Sequence, residues 1–311
     1  MIDRFNAMRF FVSQSLWQIL PAARNDSWIK EMVDTPRFGW DWEALMQGYF
    51  DPLSAWAAVH NARLGPVFAG LLIDALGGDS QRHGDVLAAL ELHFLSAIML
   101  DDMRNGRDVA SSTGKQNSIP LPVWVTVAYN TRQLSVVLIA RRTQSLKAEA
   151  RRRLTHQFAR FLFQQGVGSV LDLAGSENAK AHCTVEEFLT YLSLCSGIRS
   201  YGLAAHVASA ACDLNIDDET MLASVANELG LALRLLTLSR GEDDFPVVEC
   251  MVHEQPIHWR RGVMLKDLKK AAERVLPLAL KHAYEINDQV GQLFSEFATF
   301  IHAPACKEGV A

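Results

Sequence analysis

Residues 88–108, AALELHFLSAIMLDDMRNGRD, decide how this chain reads. From Leu90 to Leu100 the only ionisable side chains are Glu91 and His93, and the run then meets Asp101 and Asp102. Its apolar residues recur at i, i+3 and i+4 and leave almost no polar face, which predicts a buried helix. Two adjacent carboxylates closing such a helix have two readings. The plain one is a helix end whose acids face solvent. The other is a divalent cation, since acids set against an apolar interior are costly unless something compensates them. Mg²⁺ takes hard oxygen ligands, uses one or two carboxylates, and fills its remaining positions with water and substrate phosphates. On a helix Asp101 and Asn105 are i and i+4 and share a face, so a D-D-x-x-N set can converge on one cavity.

Outward from this stretch the period stays helical. Segments 41–76, 85–105, 121–143, 145–173, 185–212, 217–240 and 265–301 all carry helical spacing and are rich in Ala, Leu, Glu and Gln. VWVTVAY at 123–129 comes nearest to a strand, and its flanks favour a buried helix. Breaks are predicted at Gly77–Gly78, 106–120, Gly175–His182 and Phe245–Gly262. No compositional shift or internal repeat divides the chain. The expected architecture is a single all-α domain over 1–311, a helical bundle with buried inner helices. Trp17, Trp28, Trp40, Trp42 and Trp56 are spaced to pack an N-terminal layer of that bundle.

Of the 311 residues, 49% are apolar and 21% charged, and the net charge is −5, which argues against a nucleic-acid partner. The basic clusters at 141–142 and 151–153 read as solvated helix faces. The five cysteines have no close spacing, fit neither a zinc site nor a disulfide framework, and point to a reducing compartment. The first 20 residues read as an amphipathic helix rather than a signal peptide, and no run reaches the ~18 apolar residues of a membrane span. A cytoplasmic protein is expected.

Several short motifs follow one another in order: Arg63-Leu-Gly-Pro66, Ala75-Leu-Gly-Gly78, Glu91-Leu-His93, Asp101-Asp102, Gly168-Ser-Val-Leu-Asp172-Leu173 and Leu229-Gly-Leu-Ala-Leu233. This series resembles the trans-prenyl diphosphate synthases, the polyprenyl synthetase family of the class I isoprenoid (terpenoid) synthase fold, over about residues 50–301. The resemblance implies that Asp101 and Asp102, with Asn105 in third place, bind Mg²⁺ on the diphosphate of an allylic prenyl diphosphate. It further implies that Arg63 and His93 help bind isopentenyl diphosphate, that Gly168 and Asp172 line the cavity, and, from family habit, a possible homodimer. Small residues stand four and five places before Asp101, at Ala97 and Ser96, where the family limits product length.

The departures point away from chain elongation. Ala62 and Gly65 stand where the family carries a lysine and a second arginine, and Cys195-Ser-Gly197 stands where it has Lys-Thr-Gly. Thr237 and Leu238 replace the second metal-binding aspartates, and Arg234 replaces the glutamine before them. Glu242, Asp243 and Asp244 follow too far along to share their helical face unless the helix breaks at Gly241, and a solvated loop is the plainer reading. Arg199 and Arg234, on otherwise apolar helices near the lost ligands, are candidate diphosphate contacts or arginines snorkelling to the surface. Three functions are therefore expected in descending order. They are a terpene-synthase-like diphosphate lyase that ionises one allylic diphosphate, a non-catalytic binding or regulatory subunit, and a divergent prenyltransferase.

Overall fold

A computed structural model describes residues 2–24, 42–59, 63–104, 120–177, 189, 196–239 and 265–302. These hold ten α-helices and no strand: α1 Ile2–Arg24, α2 Trp42–Val59, α3 Leu64–Ala75, α4 Gly84–Arg104, α5 Leu121–Arg142, α6 Ala148–Glu177, α7 Ser196–Ala211, α8 Ile216–Ser239, α9 Leu265–Ile286 and α10 Asp288–His302. The all-α bundle expected from the periodicity is what the chain forms. VWVTVAY lies wholly inside α5. Two predicted helices divide. The 41–76 segment splits at Arg63, whose φ of 51° puts a left-handed residue before α3. The 265–301 segment splits at Asn287, whose Oδ1 accepts the Val290 amide at 2.8 Å and caps α10.

The helix α4 is the hub. Packed against α1, α3, α5 and α7, it is buried without interruption from Val86 to Ala97. By length and composition Ser80–Leu100 could cross a membrane, contrary to the expectation that no run would qualify, but 78% of it is buried inside the bundle. Packing against other helices meets the same apolar demand that lipid would.

Two tight turns fix the ends. After α3 the chain reverses through Gly77 (φ 82°) with the Gly78 amide donating to the Ile73 carbonyl at 2.9 Å, a glycine-terminated helix stop. Between α7 and α8 the Leu214 amide donates to the Ser209 carbonyl at 2.9 Å, and Asn215 Oδ1 accepts the Asp218 amide at 2.9 Å. These turns touch. A Cβ on Gly78 would lie 2.9 Å from Cys212 Sγ. Helix α6 starts at the same end, where Arg153 Nη2 donates to the Leu214 carbonyl at 3.0 Å. It follows that the C-terminal ends of α4, α6 and α8 and the N-terminal end of α7 lie together at the opposite end.

The N- and C-terminal helices close over one aromatic cluster. Phe68 of α3 meets Tyr201 of α7 at 5.5 Å and Phe297 of α10 at 4.8 Å, and Phe5 of α1 meets Phe300 at 4.1 Å. Of the five tryptophans expected in one layer, only Trp17 and Trp56 have described side chains. Trp56 is fully buried against Trp124 at 6.0 Å, whereas Trp17 is 41% exposed on the outer side of α1. Trp28 and Trp40 lie outside the described residues. Arg153 also departs from the solvated face expected of it, because it turns inward to Glu219 while Arg152 stays outside with Glu149.

Candidate functional site

Asp101 and Asp102 sit in the last turn of α4. Asp172 is on the last turns of α6, Arg199 on the first turn of α7, and Arg234 near the end of α8. The topology therefore brings five candidate residues from four helices to one end of the bundle, the end away from the Gly78 and Leu214 turns. For Asp101, Asp102, Asp172 and Arg199 only the helical backbone is described, while Arg234 is half-buried. Asn105, Cys195 and Glu242–Asp244 lie outside the described residues. Thr237 and Leu238, at the positions of the second aspartates, are on α8 at this same end.

Below Asp101, toward the turns, lie the residues that the resemblance assigned to isopentenyl diphosphate. Arg63 is held by protein. Its Nη1 donates to Glu91 Oε1 at 2.6 Å, its Nε to Ser13 Oγ at 2.7 Å, and its Nη2 to the Ala57 carbonyl at 3.0 Å. The Arg63 and Glu91 side chains are 2% and 3% exposed. The guanidinium thus faces three protein acceptors. At Gly65 the α3 backbone lies against the Phe94 ring, so that a Cβ there would sit 2.2 Å from Phe94 Cε2. That ring fills the space any side chain at position 65 would enter. Gly65 and Phe94 are two halves of one packing arrangement.

His93 is fully buried among aromatic rings, with Phe94, Phe158 and Phe161 set edgewise to it at 5.8, 5.5 and 5.1 Å. Among the described residues neither ring nitrogen has a hydrogen-bond partner. Burial, with the Arg132 charge adding to it, lowers its pKa from 6.5 to about 3, so the ring is neutral at pH 7. Arg132 of α5 lies beside it and donates from Nε to Ser96 Oγ at 3.3 Å. One residue earlier on α5, Tyr49 donates to Thr131 Oγ1 at 3.1 Å, and Thr131 Oγ1 donates to the Val127 carbonyl at 2.7 Å. Burial pushes the Tyr49 phenol well above its ordinary range, so it stays protonated.

Three residues of this layer carried no signal in the sequence. Arg132 sits in a helix of Val, Leu and Ile, where it reads as a surface cation. Phe94 and Phe161 read as ordinary core residues. Their contribution depends on which helices are neighbours.

Solved structures with this arrangement of helices were found by comparison. A farnesyl/geranylfarnesyl diphosphate synthase from Zymomonas mobilis superposes with a TM-score of 0.70 at 14% identity, over 97% of this chain and 100% of its own. This is the isoprenoid-synthase fold. A geranyltranstransferase from Thermotoga maritima gives a TM-score of 0.64 at 14% identity, over 96% and 98% of the two chains. A geranylgeranyl pyrophosphate synthetase from the archaeon Geoglobus acetivorans gives 0.62 at 16%, over 94% and 99%. No protein-family model matches the sequence, and no curated protein matches it.

Proposed function

We propose that this chain, acting as one domain, binds an allylic prenyl diphosphate at the end of the bundle where α4, α6 and α8 finish and α7 begins, and ionises it without condensing it with isopentenyl diphosphate. The observation that carries this reading is the Gly65–Phe94 contact, because it fills with hydrocarbon the place where a second diphosphate would need a cation. The Arg63–Glu91 pair and the neutral, caged His93 support it from either side.

The donor set at the end of α4 suits Mg²⁺: two adjacent carboxylates and, one turn on, the Asn105 amide oxygen are hard oxygen ligands. Among the described side chains, which leave out those of Asp101, Asp102 and Asn105, no group of three His, Cys, Asp or Glu could hold a metal ion. Asp101, Asp102 and Asn105 would hold Mg²⁺, which supplies Lewis-acid stabilisation to the departing diphosphate. Arg199 and Arg234 would meet diphosphate oxygens in charge-assisted hydrogen bonds. The C–O bond breaks with its electron pair leaving on the diphosphate. Buried apolar residues of α4, α5 and α6 keep bulk water from the cation until it loses a proton to the released diphosphate, or captures a single water molecule whose proton the diphosphate takes. A neutral His93 adds no second positive charge to that environment.

Thr237 and Leu238 favour a second reading, a non-catalytic binding or regulatory subunit, because they put no carboxylate at the two α8 positions where the resemblance expects aspartates. The test is diphosphate release from geranyl, farnesyl and geranylgeranyl diphosphates with Mg²⁺, with and without isopentenyl diphosphate, in the native chain and in Asp101→Ala/Asp102→Ala. Release that needs no isopentenyl diphosphate and vanishes in the variant is expected. Release only with isopentenyl diphosphate would make the chain a prenyltransferase. No release, with both proteins equally folded, would leave the non-catalytic reading.

A further inference from the structure

We propose that the outer face of α6 docks this chain on an anionic lipid surface. Residues 141–160 hold seven Arg or Lys and one acid, Glu149, in a chain whose net charge is −5. Along α6 the structure sorts these cations. Arg153 turns inward to Glu219. Arg152, His156 and Arg160 stay exposed at i, i+4 and i+8 and share one face. Phe163, at i+11, closes the row and is 76% exposed, more than any other large apolar side chain among the described residues. The packing of α6 does not use this row, because Leu154, Phe158 and Phe161 fill its core side. His156 and Arg160 have no ion-pair partner among the described residues. Arg152 pairs with Glu149 at 2.9 Å, but both are well exposed, and such a pair exchanges for another anion at little cost.

The occupant of this face has to be anionic and has to accept an aromatic ring. A second copy fits poorly. Twofold pairing centred on His156 sets Arg152 against Arg160 and His156 against itself, so cation meets cation. Single-stranded nucleic acid is anionic, but it is held in a charged groove with several stacking platforms, and this row is a ridge on one helix with a single ring. A lipid surface suits both parts of the row. Anionic headgroups attract each cation near the plane, and an exposed aromatic enters the boundary between headgroups and acyl chains. From Arg152 to Phe163 the row covers about 16.5 Å of helix, which lies along a plane without bending. Beyond Phe163 the helix runs on to Asp172 at the candidate site. Docking by this face therefore holds that site near the surface where an amphiphile with a diphosphate head and a hydrocarbon tail partitions. That advantage rests on the proposed function; the docking itself does not.

The test is flotation of the full chain with two kinds of vesicle, phosphatidylcholine alone and phosphatidylcholine with phosphatidylglycerol in equal parts, at low and raised salt. It is made on the native chain, on Arg152→Gln/Arg160→Gln and on Phe163→Ser. All three positions are exposed, so these variants should fold, which circular dichroism and melting temperature check. The native chain is expected to bind the anionic vesicles, to leave the neutral ones, and to be released as salt rises. Each variant is expected to lower partitioning about tenfold, one through lost charge and the other through lost apolar insertion. No binding by the native chain, equal binding to neutral vesicles, or binding that either variant leaves unchanged overturns the proposal. Sedimentation velocity and titration with a single-stranded oligonucleotide, on the same proteins, identify the other occupants. A dimer that Phe163→Ser dissociates, or oligonucleotide binding that exceeds vesicle binding and is lost with the two arginines, also overturns it. Flotation is read without substrate. A native chain that docks yet releases no diphosphate refutes the ionisation reading and leaves the docking face standing.

Discussion

Two buried ion clusters hold this bundle together at different depths. Arg63 and Glu91 meet at 2.6 Å in the middle of the molecule with almost no exposure. At the end with the turns, Glu219 accepts from His206 Nδ1 at 2.8 Å and from Arg153 Nε at 3.3 Å, and both donors are partly open to water. Each ties several helices: α1, α2, α3 and α4 in the first case, and α6, α7 and α8 in the second. The difference lies in what surrounds them. The outer cluster keeps solvent as an alternative partner. Within the inner cluster protein takes that place entirely, and the layer above it, where the resemblance implied a second diphosphate, is filled by aromatic rings. The part of the fold expected to bind a ligand has the packing of a core.

The largest effect should come from breaking the inner pair. Arg63→Ala or Glu91→Ala leaves a charge buried without its partner and is expected to cost about 3–5 kcal/mol in urea unfolding. Replacing both at once, Arg63→Met with Glu91→Leu, should come close to neutral, because desolvation of two charges is relieved together. If the single variants cost no more than a surface pair, about 1 kcal/mol or less, the inner cluster is wetter than its geometry indicates and the contrast fails.

Glu219→Gln comes next, with an expected loss of about 1.5–3 kcal/mol at pH 7 for hydrogen bonds to a charged acceptor. Burial alone would raise the Glu219 carboxyl, but the hydrogen bond and charge of His206, with Arg153, outweigh it and hold the group below its ordinary value of 4.5. The unfolded chain then binds the proton first as pH falls. This contribution is therefore present above about pH 4.5 and is lost as pH drops through the lowered native value. The Glu219→Gln chain should lack that part of the acid destabilisation, measured as unfolding free energy between pH 5 and about pH 3.

How much of this was legible in the sequence divides along the same line. Helix identity was legible because 3.6-residue periodicity and the Gly77–Gly78 stop are local signals. The fold was legible because ordered motifs from Arg63 to Leu233 fix the sequence of helices. The split at Arg63 was not, since a left-handed arginine carries no mark that Gly or Asn would. Arg63 itself read as a ligand contact because its partner Glu91 is 28 residues away and nothing local announces the pair. Arg132 and Phe94 stayed silent for the same reason: each acquires its role from a residue on another helix. Gly65 read as a lost arginine, and only the Phe94 ring lying on it turns that absence into a packing requirement.

Within the aromatic layer, Gly65→Ala should cost about 1–3 kcal/mol by overpacking, as the new methyl meets the edge of a confined ring. Phe94→Leu in the same chain should recover part of it, giving a non-additive double-mutant cycle. Additive losses would mean that the ring moves aside freely. The space for a second cation would then be available after all, which would weaken the case against elongation.

The smallest effect at neutral pH, and the sharpest test of the inner layer's dryness, is expected at His93. His93→Phe conserves an aromatic ring and removes two buried nitrogens that have no partner among the described residues, so the change at pH 7 should stay within about 1.5 kcal/mol. The pH dependence should move more. With a native pKa of about 3 against 6.5 in the unfolded chain, His93 must be neutral to stay folded. The unfolded state takes up the proton first, so stability is full above pH 6.5 and declines as pH falls from 6.5 toward 3. Glu219 does not yet contribute in the upper half of that window, whereas His83, whose pKa burial also lowers, adds a slope of the same sign. The His93→Phe chain should therefore show a shallower but still positive slope of unfolding free energy between pH 4.5 and 6.5. An unchanged slope would mean that His93 is protonated at little cost in the folded chain. Water or an anion would then reach the ring, and the layer that excludes a second diphosphate would be open.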